Sequence, residues 1–128
     1  MNRYIKYIGL PFEQYDCYNL VKLIYKEVHN KDILDTNIKH YESKKINNQY
    51  QDESLNWLKV DEAKEGDIVA IRLDSNFPKI VTHFAYCIND KQILHTTEKT
   101  NCVVFSHNEI DSYKFLIKRE DGLKCYIF

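Results

Sequence analysis

One cysteine and two histidines are the residues of this 128-residue chain best suited to chemistry. Cys17 follows directly after Asp16 in the segment PFEQYDCYNLVKLIYKEV, and His83 and His95 lie twelve positions apart in THFAYCINDKQILHTT. A thiolate is a nucleophile, and a neighbouring imidazole can take up its proton and later give it to a leaving amine. A second imidazole can hold the first in the correct orientation and tautomer. The three residues together predict a cysteine nucleophile with a histidine base.

A helix is the element that would position the cysteine. From residue 16 to about residue 28, apolar side chains recur at spacings of three and four, which predicts a helix with one buried face. These side chains are Cys17, Leu20, Val21, Ile24 and Val28. Asp16 is a good N-cap for this helix. A thiol in the first turn is expected to have a lowered pKa, because the helix dipole and nearby N–H groups favour the thiolate.

The second half of the chain, from Gly66 onward, has the pattern of β-strands. Its segments are short, rich in β-branched and aromatic residues, and separated by turns such as NDK and EDG. The six segments are GDIVAIRL, IVTHFAYCI, QILHTTE, CVVFS, YKFLIKR and LKCYIF. They predict a meandering antiparallel sheet of five or six strands. Residues 32–58 are polar and predict short helices with turns, so the chain is predicted to be one α+β domain over residues 1–128.

The turn between the two histidine strands decides whether both histidines share a face of the sheet. A three-residue turn at 89–91 places His95 opposite Ala85, on the same face as His83 and one diagonal step from it. A two-residue turn would place His95 on the other face, and the two imidazoles would not meet.

Composition narrows the class of protein. The formal net charge is −1, which argues against a nucleic-acid-binding protein, since such a protein needs a basic excess to neutralise phosphates. Apolar residues make up 44% and charged residues 29%, as in an ordinary globular protein. We recognise no signal peptide and no apolar segment long enough to insert in a membrane. The expected site of synthesis is therefore a bacterial cytoplasm.

The four cysteines are far apart and form no CxxC pair, so we interpret them as free thiols. They are Cys17, Cys87, Cys102 and Cys125. Cys87 alternates onto the face of His83, so a zinc site that also includes Cys17 and His95 is an alternative. Its spacing matches no usual pattern of zinc ligands. Cys102 and Cys125 are expected to be buried in the sheet.

The order of these features resembles the NlpC-type peptidoglycan endopeptidases, a family of papain-like fold. The resemblance lies in an Asp-Cys pair that caps a helix, a GDIV strand, a histidine that opens an apolar strand, and a second histidine twelve residues later. The opening segment GLPFEQYDCYNLVKLIY is most similar to phage members of the family, the tail-associated cell-wall hydrolases. The similarity extends from about residue 7 to about residue 104.

The resemblance implies a papain-like fold in which an N-terminal helix bearing the cysteine packs on the sheet. It implies that Cys17 is the nucleophile, that His83 is the general base and later acid, and that His95 orients His83. The backbone N–H of Cys17 would help to form the oxyanion hole, with Tyr15 as a supporting donor. Asp67 in the GDIV segment matches a position whose role in the family is structural. No cofactor or metal is implied.

The residues after Cys17 differ from those of cellular family members. Tyr18 and Asn19 stand where those proteins have Ser-Gly, which leaves Asp16 as the contact for the free amine of a stem peptide. The implied substrate-binding residues are Asp16, Tyr15 and Tyr18.

The function implied is that of a cysteine endopeptidase or amidohydrolase that cuts the peptide stems of peptidoglycan. The setting implied is a phage or phage-like tail, so the expected partners are peptidoglycan stem peptides and phage tail-tip proteins, without nucleic acid or membrane insertion. A catalytically silent structural module of a tail tip is the alternative. Hydrolysis of a different amide, on a lipid or a protein side chain, is a further alternative.

Overall fold

A helix and a six-stranded antiparallel sheet make up most of the described structure. The structure is a computed structural model that describes residues 2–32, 44–48, 58–59, 64–71, 83–97, 99–106 and 115–119. Its elements confirm the predicted α+β class.

The chain begins with a 3₁₀ helix and continues with one long helix before the strands. In chain order the elements are the 3₁₀ helix Asn2–Tyr7, α1 Cys17–His29, β1 Leu58–Lys59, β2 Ile68–Ile71, β3 His83–Cys87, β4 Gln92–Thr97, β5 Asn101–Ser106 and β6 Phe115–Arg119. Residues 44–48 are also helical, as predicted in general terms for the polar middle of the chain. Neither the 3₁₀ helix nor β1 was expected from the sequence.

The sheet has the strand order β1-β6-β2-β3-β4-β5. Strands β2 to β5 form the predicted meander, in which each strand pairs antiparallel with the next. Strand β6 returns to the other side and pairs with β2, so that β2 and β3 lie in the middle of the sheet. The predicted strand LKCYIF at residues 123–128 lies outside the described residues.

Helix α1 has the start that the sequence predicted. Asp16 is the N-cap, and its side chain accepts a hydrogen bond of 3.1 Å from the backbone N–H of Asn19. The backbone carbonyl of Asp16 accepts the first intrahelical bond, 2.8 Å from the N–H of Leu20. At the other end Asn30 takes the left-handed conformation, with φ of 53°, and its N–H bonds to the carbonyl of Tyr25.

The core lies between α1 and one face of the sheet. Most of the predicted apolar face of α1 is buried, with Leu20, Val21 and Ile24 fully enclosed. Tyr25 extends this face, and Val28 is only partly buried. Rings on the helix contact rings on β3, since Tyr18 lies edge-on to Phe84 and Tyr25 to Tyr86. The sheet side chains in this core cluster are Ile68, Ala70, Phe84, Tyr86, Ile88, Leu94 and Cys102.

A short segment between the 3₁₀ helix and α1 follows the outer edge of β5. The N–H of Gly9 donates to the carbonyl of Cys102 at 2.8 Å, and the N–H of Cys102 donates to the carbonyl of Leu10 at 3.0 Å. The side chain of Asn101 accepts a further bond of 3.2 Å from the N–H of Phe12. These contacts lead the chain to the start of α1.

Candidate active site

The two histidines share one face of the sheet, as the three-residue turn predicts. Tyr86 pairs with Leu94, and the N–H of Ile88 donates to the carbonyl of Gln92 at 3.1 Å, which leaves residues 89–91 as the turn. The side chain of Asn89 closes this turn by accepting bonds of 2.8 Å from the N–H groups of Lys91 and Gln92.

His83 and His95 are joined by a hydrogen bond of 2.9 Å between Nε2 of the first ring and Nδ1 of the second. The rings lie edge to face, and the two residues are 5% and 4% exposed. Burial lowers the pKa of His83 to about 3, with a further contribution from the neighbouring His95. Burial also lowers the pKa of His95 to about 4. Both rings are therefore neutral at pH 7, as a general base must be before it acts.

Cys17 lies at the first position of α1, where the sequence placed it, but its thiol is not ionised there. Burial raises the pKa of the thiol to about 12, and the charge of Asp16 adds to this effect. Backbone hydrogen bonds from Phe84, Tyr18 and Cys17 itself act in the opposite direction. The predicted lowering of the Cys17 pKa is thus wrong for this structure, because desolvation outweighs the N–H groups at the helix start.

The thiol meets the sheet at Phe84, directly next to His83. In this region β3 and β4 no longer pair, since their last described pair toward this end is Tyr86 with Leu94. Alternation along β3 directs Phe84 to the α1 side and His83 to the other side. Among the hydrogen bonds of the described residues, none joins Cys17 to His83. The structure therefore brings the two histidines together and places the cysteine beside their strand without direct contact.

The predicted substrate-binding residues surround the start of α1. Asp16 is half-buried and acts as the N-cap, which is the structural role expected of this residue type. Tyr15 and Tyr18 are half-buried and pack against the core. All three retain exposed surface next to Cys17.

Asp67 holds the turn that leads into β2. Its side chain accepts a hydrogen bond of 2.8 Å from the N–H of Lys64, and the residue is 1% exposed. Gly66 and Asp67 together oppose Cys87 as a bulge, through bonds of 2.9 and 2.8 Å. Gly66 has φ of +95°, and a Cβ there would lie 3.3 Å from the His29 ring, so the turn favours glycine on both counts.

The remaining cysteines show no ligand cluster. Cys87 is fully buried on the His83 face, Cys102 is fully buried in the core, and both are free thiols, as is Cys17. Within the described ranges no three side chains of the kinds that bind metals come together, so the zinc alternative gains no support there. Cys125 lies outside those ranges.

A hydrogen-bonded chain of buried tyrosines was missed by the sequence analysis. Tyr4 donates to Glu65 and lies 2.9 Å from the hydroxyl of Tyr86, which in turn lies 2.8 Å from Nε2 of His29. The hydroxyl of Tyr25 donates to the carbonyl of Gly66. The spacing of the ten tyrosines in the sequence does not identify these partners.

A cavity lies beside this chain, at the end of α1 opposite to Cys17. Its volume is about 320 Å³. The lining residues are Tyr25, His29, Lys31, Lys64, Glu65, Gly66 and Asp67.

In comparisons with known proteins, the chain matches no family model and no curated protein. None of the helices in the described ranges is both long and apolar enough to cross a membrane.

Proposed function

We propose that the protein is a cysteine endopeptidase or amidohydrolase of NlpC-type, papain-like fold that cuts the peptide stems of peptidoglycan, as a component of a phage or phage-like tail. The observation that supports this most directly is the buried hydrogen bond of 2.9 Å between His83 and His95. A cysteine nucleophile needs a base nearby, and a third group bonded to the other nitrogen of that base fixes its tautomer and orientation.

The helix start supplies the other half of the proposed site. In the proposed reaction Sγ of Cys17 transfers its proton to His83 and attacks an amide carbonyl carbon of the stem peptide. The oxygen that becomes negative is held by backbone N–H groups at the start of α1. His83 then gives the proton to the leaving amine, and water hydrolyses the thioester with His83 accepting a proton from it.

The proposal requires Cys17 and His83 to come into contact during the reaction. In this structure Cys17 is 5% exposed, and burial raises the pKa of its thiol to about 12, so the thiol is protonated. The thiol already contacts the strand at Phe84, one residue from the base. At this end β3 and β4 are not paired with each other among the described pairs, although β3 still pairs with β2 and β4 with β5. The proposed contact would form across this gap.

Release of soluble fragments from purified peptidoglycan tests the proposal. The Cys17→Ser and His83→Ala variants are expected to lose release, by about a thousandfold or more in rate. Cys102→Ser is the matched control, because Cys102 is another buried free cysteine of the same core. This variant is expected to retain activity. Wild type that releases nothing, or a Cys17→Ser variant that is fully active, would contradict the proposal.

A structural module of a tail tip is the second candidate, and one observation favours it. The protonated, buried state of Cys17, without a hydrogen bond to His83 among the described residues, is what a silent site would show. In that case the His83→Ala variant would alter folding stability without changing the reactivity of Cys17. Site-mapped alkylation of wild type and His83→Ala distinguishes the candidates, because only an active site gives Cys17 a reactivity that depends on His83.

A further inference from the structure

Thr96 on β4 has a hydroxyl group that lacks a hydrogen bond. The residue is fully buried, and its Oγ1 has no partner among the residues that the structure describes. Leaving a buried hydroxyl unpaired is unfavourable, and a valine of the same shape would avoid this cost. The hydroxyl therefore needs an explanation other than packing.

The position of Thr96 in the sheet places it on the Cys17 side. Thr96 pairs with Cys102 on β5, and alternation puts it on the same face as Leu94. Leu94, Cys102 and Cys17 all belong to the core cluster that α1 covers. Thr96 is thus on the opposite face from its neighbour His95.

The register brings Thr96 level with the point where the thiol meets β3. The two strands do not pair beyond Tyr86 and Leu94, and continuing their register by two residues sets Thr96 across this gap from Phe84. The N–H of Ile88 donates to the carbonyl of Gln92, so the backbone groups of Ile88 point toward β4. Every second residue of an antiparallel strand points its backbone groups toward the same neighbour, so the N–H of Phe84 also points toward β4. The backbone of Phe84 is among the groups that lower the pKa of the Cys17 thiol, so the thiol lies close to this N–H. The thiol and the Thr96 hydroxyl therefore face the same gap between the two strands.

We propose that Thr96 is a positioning residue whose hydroxyl donates a hydrogen bond to Sγ of Cys17 when the thiol loses its proton. Thr96 keeps its own proton, and the thiol proton goes to His83 as in the proposed reaction. The Phe84 N–H and the Thr96 O–H then hold the thiolate from two directions. This inference deepens the proposed function, and it explains how a thiol in a buried position can ionise.

Alkylation of Cys17 by iodoacetamide tests this proposal without a substrate. The rate is measured at pH 8.5 on the intact protein, and the modified site is mapped by mass spectrometry. Thr96→Val is expected to slow alkylation of Cys17 roughly tenfold, the change expected when a hydrogen bond to a charged group is lost. Thr96→Ser keeps the hydroxyl and is expected to restore most of the rate. Thr97→Val is the matched control, because the Thr97 hydroxyl already has Thr100 as a partner at 2.9 Å.

Three outcomes would overturn the role of Thr96: an unchanged rate in Thr96→Val, equal slowing in Thr96→Val and Thr96→Ser, or the same slowing in Thr97→Val. Peptidoglycan digestion measured on the same samples separates this inference from the proposed function. If the alkylation pattern holds but wild type cuts nothing, the hydrolase proposal fails and the thiol–hydroxyl pair stands. If wild type cuts peptidoglycan and Thr96→Val alkylates normally, the role of Thr96 fails alone.

Discussion

His83 and His95 face each other through one nitrogen each, with Nε2 of His83 2.9 Å from Nδ1 of His95. Only one proton fits between these two nitrogens, so one ring must donate and the other must accept. Protonation of both rings removes the acceptor and places two positive charges side by side in a buried position. The pair is therefore stable only as long as at least one ring is neutral.

The first prediction concerns the pH dependence of folding stability. Burial lowers the folded-state pKa of His83 to about 3 and of His95 to about 4, against about 6.5 in the unfolded chain. Between these values the unfolded state binds more protons, so the free energy of unfolding falls as the pH falls from about 6.5 toward 4. The expected loss is about 1.4 kcal/mol per pH unit for each neutral histidine. Urea unfolding at pH 7 and pH 5 measures it.

The His95→Gln variant provides the comparison for this effect. It removes one of the two buried titrating groups, so its free energy of unfolding should fall less steeply between pH 7 and pH 5. Lys91→Gln, in the exposed turn between the same strands, should retain the wild-type slope. Identical slopes in wild type and His95→Gln would contradict the assignment of the pH dependence to this pair.

The second prediction separates the two effects of Asp16. Its charge raises the pKa of Cys17, whereas its side-chain oxygen caps α1 through a bond of 3.1 Å. Asp16→Asn removes the charge but keeps the cap. We expect Cys17 of this variant to be alkylated roughly fivefold faster at pH 8.5, because the repulsion between two like charges about 4 Å apart in water is removed. The free energy of unfolding should be unchanged.

Asp16→Ala is the matched variant for the cap. It should lose about 1 kcal/mol of stability in urea unfolding in addition to the change in thiol reactivity. If Asp16→Asn were alkylated more slowly than wild type, Asp16 would be assisting the thiolate instead of opposing it.

The third prediction concerns the turn before β2. Asp67 is 1% exposed, and its carboxylate accepts a hydrogen bond of 2.8 Å from the N–H of Lys64. Asp67→Ala removes this acceptor. We expect a loss of about 1–3 kcal/mol in the free energy of unfolding. Lys64→Ala keeps the same backbone N–H and should leave the free energy of unfolding nearly unchanged. A large loss in Lys64→Ala and none in Asp67→Ala would show that the lysine side chain, and not this bond, stabilises the turn.

The fourth prediction concerns the buried tyrosine chain. Tyr86→Phe removes a hydroxyl that lies 2.9 Å from the hydroxyl of Tyr4 and 2.8 Å from Nε2 of His29. Because two polar groups then lose a partner, the expected cost in thermal or urea unfolding is about 1–3 kcal/mol. Tyr15→Phe removes a hydroxyl from a half-buried residue near α1 and should cost less than half as much. Equal costs would mean that the chain contributes no more than ordinary packing.

Local signals in the sequence were sufficient for α1 and for the histidine turn. Asp16 as N-cap, the spacing of Leu20 and Ile24, and the side chain of Asn89 act within a few residues, so short-range patterns identify them. Once the turn has three residues, strand alternation alone brings His83 and His95 to one face.

Long-range features were not accessible in the same way. Every residue of β3 is buried, so its pattern does not reveal which face α1 covers, and the separation of Cys17 from His83 could not be predicted. The return of β6 to the side of β2 depends on pairing between distant segments. The pKa of Cys17 depends on burial by the whole fold, which overrides the effect of the helix start.

The segment that runs beside β5 has a consequence for the solubility of the chain. Strand β5 is the last strand of the described sheet, and an uncovered edge strand offers free N–H and C=O groups to strands of other molecules. Gly9 and Leu10 occupy both backbone groups of Cys102, the second residue of that strand. Gly9 and Leu10, which lead into the helix of the candidate nucleophile, thus also cover part of an edge that could otherwise pair with strands of other molecules.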